Sequence, residues 1–374
     1  MQTPSRRSLI AGLSALAAPI SASAAAIVPS QLLATAMAGT KTPGMAALVI
    51  RDFKAEAELV AGRRSLARKD LVAPGDRWHP GSNGKAMTAT LIGRLVEKGA
   101  LAWDRPLSAM LPDLSKDMRP QYRDATLPDL LSHRSGLPQN HDDTALFNSF
   151  YGDRSPLAAQ RLHYVSVALT DAPIGPARGE AQYSNTGPLL AAVCAEVATG
   201  RPFETLIAQE VFKPLGMTTY SFNQYGGPRE PCGHVDGRIA DRLLDPNPRM
   251  FAPAGAMRFS LSDWALFCIE HLKGHHGQGR LLKQATYQVL HTGQGDSHSA
   301  LGWGAAPSAL GRQGPALVHE GSDGNWEAAV LLFPESGNGV VLATNSAGSM
   351  GGDKAAFAAI RSLIADLAPP APAA

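Results

Sequence analysis

The sequence predicts a mixed α/β fold of the α+β kind. One antiparallel sheet is built from both chain ends and flanked by helices, and a mostly helical insertion spans about residues 101–240. Two observations carry that prediction. Short apolar runs rich in Val, Ile and Leu lie near the start and the end of the chain, whereas the middle alternates helix-period stripes with loops. The last two runs flank Pro334-Glu335-Ser336-Gly337-Asn338, which is hairpin chemistry, so they pair antiparallel. At 374 residues the chain can bury a large core without a disulfide or metal staple.

Taken in order, residues 1–26 read as an export address. Ser5-Arg6-Arg7-Ser8 precedes the apolar stretch Leu9–Ile20, and Ala22-Ser23-Ala24 offers a small-residue cleavage box. The paired arginines suit the twin-arginine route, which would place the mature protein in the periplasm or outside the cell. An uncleaved anchor is the alternative. Ser30–Met37 reads as a short helix. Met45–Ile50 and Ala57–Val60 read as strands joined by a polar turn around Asp52 and Lys54. Leu317–His319, Trp326–Phe333 and Gly339–Thr344 are three more strands. A final helix, Lys354–Leu367, puts Phe357, Ile360, Ile364 and Leu367 on one stripe. Residues 27–367 are expected to form one folded unit with the helical insertion, and 368–374 a flexible, proline-rich tail.

Charge and composition exclude several functions. The formal net charge is +2, and Arg6 and Arg7 account for it, so the mature chain is neutral. A neutral chain without a basic run is a poor nucleic-acid or anionic-lipid binder. No further stretch approaches the roughly 18 apolar residues of a spanning helix. Cys194, Cys232 and Cys268 are too few and too far apart for a disulfide framework or a zinc site. No phosphate loop, GxGxxG or HExxH is present, so neither cofactor nor metal is expected, and His141-Asp142-Asp143 alone makes a weak metal motif. No GxSxG elbow occurs either. His275-His276 is expected in a solvated loop, Gly274–Gly279, and His133 to pack or cap within its turn.

Three short motifs carry chemistry. Ser82-Asn83-Gly84-Lys85 opens a helix running to about Lys98, with Gly99 as its stop. Lys85 sits one turn above Ser82 on an inward face shared with Ala89, Ile92 and Val96. An amine that loses hydration there can take the serine proton. Tyr183-Ser184-Asn185 opens a second helix, marked by Leu189, Val193 and Val197 and ended by Gly200. Tyr183 can move a proton and Asn185 can bind a substrate carbonyl, or Asn185 can simply cap its helix. His319-Glu320-Gly321-Ser322 ends a strand. There Gly321 admits close backbone approach, and the Ser322 N–H can pair with that of Ser82 as an oxyanion hole.

With these motifs in this order, the chain resembles the serine β-lactamase and penicillin-binding-protein superfamily, in its class C β-lactamase-like branch. Trp78 to Thr88, Leu130 to Pro138, Pro214-Leu215-Gly216-Met217 and Leu301-Gly302-Trp303-Gly304 extend the resemblance over most of the chain. It implies a β-lactamase/transpeptidase-like fold with a cleft between sheet and helical parts. It further implies Ser82 as nucleophile, Lys85 and Tyr183 sharing acid–base work, and Asn185, His319, Gly321 and Ser322 binding substrate. His319 stands where lactamases of this branch usually have lysine. A mostly neutral histidine is a weaker handle for a substrate carboxylate. The expectation is therefore an exported hydrolase of small esters, amides or peptides rather than an efficient β-lactamase. A covalent penicillin-binding sensor, a class C-type β-lactamase and a relative without activity are the alternatives.

Overall fold

The computed structural model describes residues 29–223, 226–240 and 247–372. The export segment inferred for residues 1–26 lies outside them. Among the described residues no helix is long and apolar enough to cross a membrane.

The main sheet is antiparallel and joins the two chain ends. Its strands run, in spatial order, Lys54–Ala55, Gly44–Arg51, Asn338–Thr344, Glu327–Phe333, Arg312–Ser322 and Gly304–Ala309, and Leu59–Gly62 also pairs with Gly44–Arg51. Met45 lies opposite Thr344 and Ile50 opposite Gly339, so the N-terminal strand inserts beside the C-terminal hairpin. The central strands are buried on both faces, which explains why they read as continuous apolar runs. Alternation still divides them. Ala46, Leu48, Ile50, Val330, Leu332 and Val341 face the large core shared with the inner helices. Met45, Ala47, Val49, Leu331, Val340 and Leu342 face a smaller core under the helices Pro29–Met37 and Gly352–Leu363.

Several local expectations need correction. The second strand is not Ala57–Val60: Leu59–Gly62 pairs there, and Lys54–Ala55 pairs earlier through a two-residue turn. That turn places both Asp52 and Phe53 at positive φ, 48° and 61°, the geometry that matches the strand twist. The last helix ends at Leu363, not Leu367. Of the expected stripe Ile360, Ile364 and Leu367 are buried, joined by Ala355, Ala359 and Leu363, whereas Phe357 is half-buried with the Arg361 guanidinium over its ring. The edge strand Gly304–Ala309 was not foreseen, because Pro307 and small residues on a partly exposed edge carry no apolar alternation. Gly274 and His275 belong to the helix Leu261–His275 rather than to a loop. Tyr287 packs where a Gly274 side chain would be, and His276 Nε2 bonds to Pro334 O at 2.8 Å. Residues 368–371 are not loose either: Gln313 N donates to Pro369 O and Ala371 N to Gly311 O, at 2.8 and 2.9 Å.

Candidate active site

Two glycines decide where Ser82 sits. Pro80-Gly81-Ser82 turns into a short 3-10 segment, Gly81–Asn83, before the helix Gly84–Glu97 begins. Gly81 has φ +53°, and a Cβ on either Gly81 or Gly321 would overlap the facing backbone. The strand end Gly321-Ser322 can therefore lie directly against the serine loop, with Ser82 N and Ser322 N in the same narrow space. Asn83 rivets this arrangement: its Nδ2 donates to Pro80 O at 2.6 Å and to Ala328 O, in the adjoining strand, at 3.2 Å.

The helix after Ser82 is buried on nearly every side, not along one stripe. Lys85 is consequently 0% exposed. Its Nζ lies 3.0 Å from Ser82 Oγ, 2.8 Å from Asn185 Oδ1 and 2.9 Å from Ala254 O. The last two oxygens are carbonyls and can only accept, so two N–H bonds point at them. The third tetrahedral position, proton or lone pair, faces Ser82 Oγ. On the other side of that oxygen the Tyr183 hydroxyl is 2.5 Å away, and Lys85 Nζ also lies 4.9 Å from the Tyr183 ring centroid.

Tyr183 and Asn185 come from the residues just before the helix Thr186–Thr199, which Gly200 ends in a left-handed conformation. Asn185 does not cap that helix with its side chain. Its Oδ1 serves Lys85, and its Nδ2 donates to Asn140 Oδ1 at 3.0 Å. Asn140 is a member of the cluster that the sequence did not reveal. Two histidines are others. His79 is 1% exposed, and its Nδ1 accepts from Gly81 N at 3.1 Å, which puts its proton on Nε2, 3.8 Å from the buried Asp323 carboxylate. His133 packs against Tyr183. Burial, with Lys85 and His319 adding to it, pushes the His133 pKa down to about 3, so this ring is neutral.

His319 shares its strand face with Gly321 and is close enough for its charge to bear on His133. Its Nδ1 lies 2.7 Å from Glu320 O. A carbonyl only accepts, so Nδ1 carries a proton there and donates it to Glu320 O. Ser322 Oγ accepts from Gly324 N at 3.0 Å and shapes the turn after the strand. His141, by contrast, pairs with Asp171 at 2.7 Å, and Asp143 caps the helix Thr144–Gly152. The described residues contain no grouping of His, Cys, Asp or Glu suited to a metal ion.

A serine backed by a buried lysine and a phenol, at the junction of an antiparallel sheet and a helical layer, defines the class of serine hydrolases with the β-lactamase/transpeptidase-like fold. Comparison with known proteins gives the family. The Beta-lactamase family model matches residues 30–365, and the chain belongs to that family. Protein flp of Staphylococcus aureus is 23% identical over 313 residues, 81% of this chain and 59% of that protein. The D-alanyl-D-alanine-carboxypeptidase/endopeptidase AmpH of Escherichia coli is 29% identical over 189 residues, 49% of this chain and 46% of AmpH. The chain thus spans about three fifths or less of the length of these curated relatives. Among solved structures, a D-stereospecific amidohydrolase from Streptomyces superposes with a TM-score of 0.70 at 22% identity, covering 89% of this chain and 97% of that one.

Proposed function

We propose that this protein is an exported serine hydrolase that cleaves a small ester or amide through an acyl-enzyme on Ser82. One observation carries the reading: Lys85 Nζ and Tyr183 Oη both lie within hydrogen-bond distance of Ser82 Oγ, at 3.0 and 2.5 Å. In acylation the Oγ–H proton passes to Tyr183, held as phenolate beside the Lys85 ammonium, while Oγ bonds to the substrate carbonyl carbon. The carbonyl oxygen becomes an oxyanion facing the N–H groups of Ser82 and Ser322. Collapse of that intermediate breaks the bond to the leaving alcohol or amine, which takes the proton from Tyr183. A water then repeats the sequence on the ester carbonyl and returns the proton to Ser82.

His319 sets the substrate preference. A lysine at this place would be a fixed cation that donates to a carboxylate, whereas a histidine side chain, with an ordinary pKa near 6.5, carries little charge at about pH 7. Replacing one charge-assisted hydrogen bond costs about 1.5–3 kcal/mol, roughly 10- to 150-fold in recognition. The site accordingly suits esters and amides without an obligatory carboxylate better than β-lactams. The names of AmpH and of the Streptomyces amidohydrolase, a peptidase and an amide hydrolase, support hydrolysis of amide-type bonds as one of its activities. The export assignment rests on Arg6-Arg7 and the apolar run behind them.

Incubation with p-nitrophenyl butyrate and with nitrocefin tests this reading. Steady turnover of the ester, faster than that of nitrocefin, is expected. A single stoichiometric burst with either compound would instead indicate a covalent binder, and nitrocefin turnover exceeding ester turnover would indicate a β-lactamase.

A further inference from the structure

Tyr183 lies in an irregular stretch before its helix, yet its oxygen must be held within a fraction of an ångström of Ser82 Oγ to move a proton. A second strap of chain, residues 133–139, runs alongside and supplies the restraint. Gln182 N donates to His133 O at 2.7 Å, and Ser184 N donates to His133 Nδ1 at 3.2 Å. Further along, Ser184 Oγ donates to Pro138 O and Asn185 N to Gln139 O, each at 2.8 Å. His133 is the member of this strap that reaches the phenol: the two ring centroids are 4.7 Å apart, tilted by 39°.

We propose that His133 is a positioning residue for Tyr183, gripping the peptide on both sides of the phenol and packing its own ring against it. Three features support this role beyond ordinary core packing. His133 has φ +63°, a left-handed conformation that non-glycine residues adopt at a cost and that concentrates at functional sites. Its backbone oxygen and its side-chain nitrogen hold the residues immediately before and after Tyr183, so removing the side chain loosens one side only. Because Nδ1 accepts from Ser184, the neutral ring is protonated at Nε2, and burial beside Lys85 keeps it neutral down to about pH 3. The ring therefore adds shape to the site without adding a second cation beside Lys85.

The inference rests on Ser82 and Tyr183 being the reacting pair, and the experiment separates the two ideas. His133→Ala and His133→Asn are assayed with p-nitrophenyl butyrate, with kcat expressed per site labelled to completion by a fluorophosphonate and with Tm recorded alongside. His133→Ala should lower kcat per labelled site by roughly 10- to 100-fold, with KM within about threefold of the parent. Asparagine tolerates the left-handed backbone and can accept from Ser184 N, so His133→Asn should recover at least about threefold of the lost kcat. Parental kcat per labelled site in His133→Ala, or His133→Asn no better than alanine, would overturn the proposal. If the alanine variant does not fold, His133→Gly, which adopts the left-handed backbone without strain, takes its place: a kcat per labelled site below that of His133→Asn at unchanged KM supports the role, and parental kcat in His133→Gly refutes it. Labelling of Ser82→Ala as complete as that of the parent would instead show that the nucleophile assignment has failed.

Discussion

Two buried cations lie at opposite ends of the helix Thr186–Thr199, and they are bonded differently. Arg161 and Lys85 are both 0% exposed. Near the C-terminal end, Arg161 is locked between Glu196 and Glu204, with its guanidinium donating to both carboxylates at 2.5–3.2 Å. Its remaining partner, Met250 O, closes the coordination at 3.3 Å. Before the N-terminal end, Lys85 donates to carbonyl oxygens of Asn185 and Ala254 and turns its third position to Ser82 Oγ. A cation held between two carboxylates is committed to architecture. A cation resting on uncharged oxygens keeps its field for whatever charge develops on the hydroxyl and phenol beside it. The same helix thus carries a staple at one end and, on the function proposed above, the catalytic group at the other.

This contrast has measurable consequences. Ser82→Ala should lower ester turnover by at least about 10⁴-fold with the fold retained, read from p-nitrophenol release and circular dichroism; parental turnover would displace Ser82 as nucleophile. Lys85→Met should cost about 10³-fold in kcat with a stability loss of no more than about 2 kcal/mol, since relief of the desolvated amine offsets the donor that the Asn185 and Ala254 oxygens lose. Arg161→Met should behave in the opposite way. It leaves Glu196 and Glu204 uncompensated, so urea denaturation should show a loss of about 3–5 kcal/mol, with kcat per folded molecule within about twofold of the parent. If Lys85→Met destabilises as much as Arg161→Met, the division between staple and catalyst fails.

The motifs at helix starts were legible because their chemistry is local. SxxK spacing alone places an amine one turn from a hydroxyl, and Tyr183 and Asn185 precede a helix whose stop, Gly200, is visible in the sequence. Gly321 was readable as a point of close backbone approach. What was hidden depends on distant chain segments. His133 reaches Tyr183 across fifty residues, Asn140 finds Asn185 through the same strap, and His79 meets Asp323 only after the serine loop docks on the strand end. The helix Gly84–Glu97 looked one-sided but is covered all round, by layers no periodicity reveals. Edge strands such as Gly304–Ala309, with small residues and a proline, leave no pattern for a reader to find.

Acid stability is a weaker but independent probe of the buried histidines. Burial lowers the His133 pKa to about 3 and that of His271 well below 6.5. Both rings are neutral in the folded chain and pick up protons in the unfolded one below about pH 6.5, so stability present above that pH is lost as the pH falls. Each group contributes a slope of up to about 1.4 kcal/mol per pH unit, and the pair about 3. Urea midpoints measured from pH 7 to pH 5 should therefore fall steadily, and a Phe variant at position 271 should flatten part of that slope. A midpoint independent of pH in this range would show that the two rings are hydrated or paired in ways their burial does not suggest. The smallest effect concerns selectivity. His319→Lys should raise nitrocefin turnover relative to ester turnover by about 10- to 150-fold; an unchanged ratio would remove His319 from substrate choice.

The decisive observation is where the acyl group goes. Rapidly quenched reaction with p-nitrophenyl butyrate, followed by intact mass and peptide mapping, should reveal one butyryl group per chain on the peptide containing Ser82, and none on Ser82→Ala. A butyryl group mapped to any other residue, or retained at the same level in Ser82→Ala, would contradict an acyl-enzyme built on Ser82, Lys85 and Tyr183.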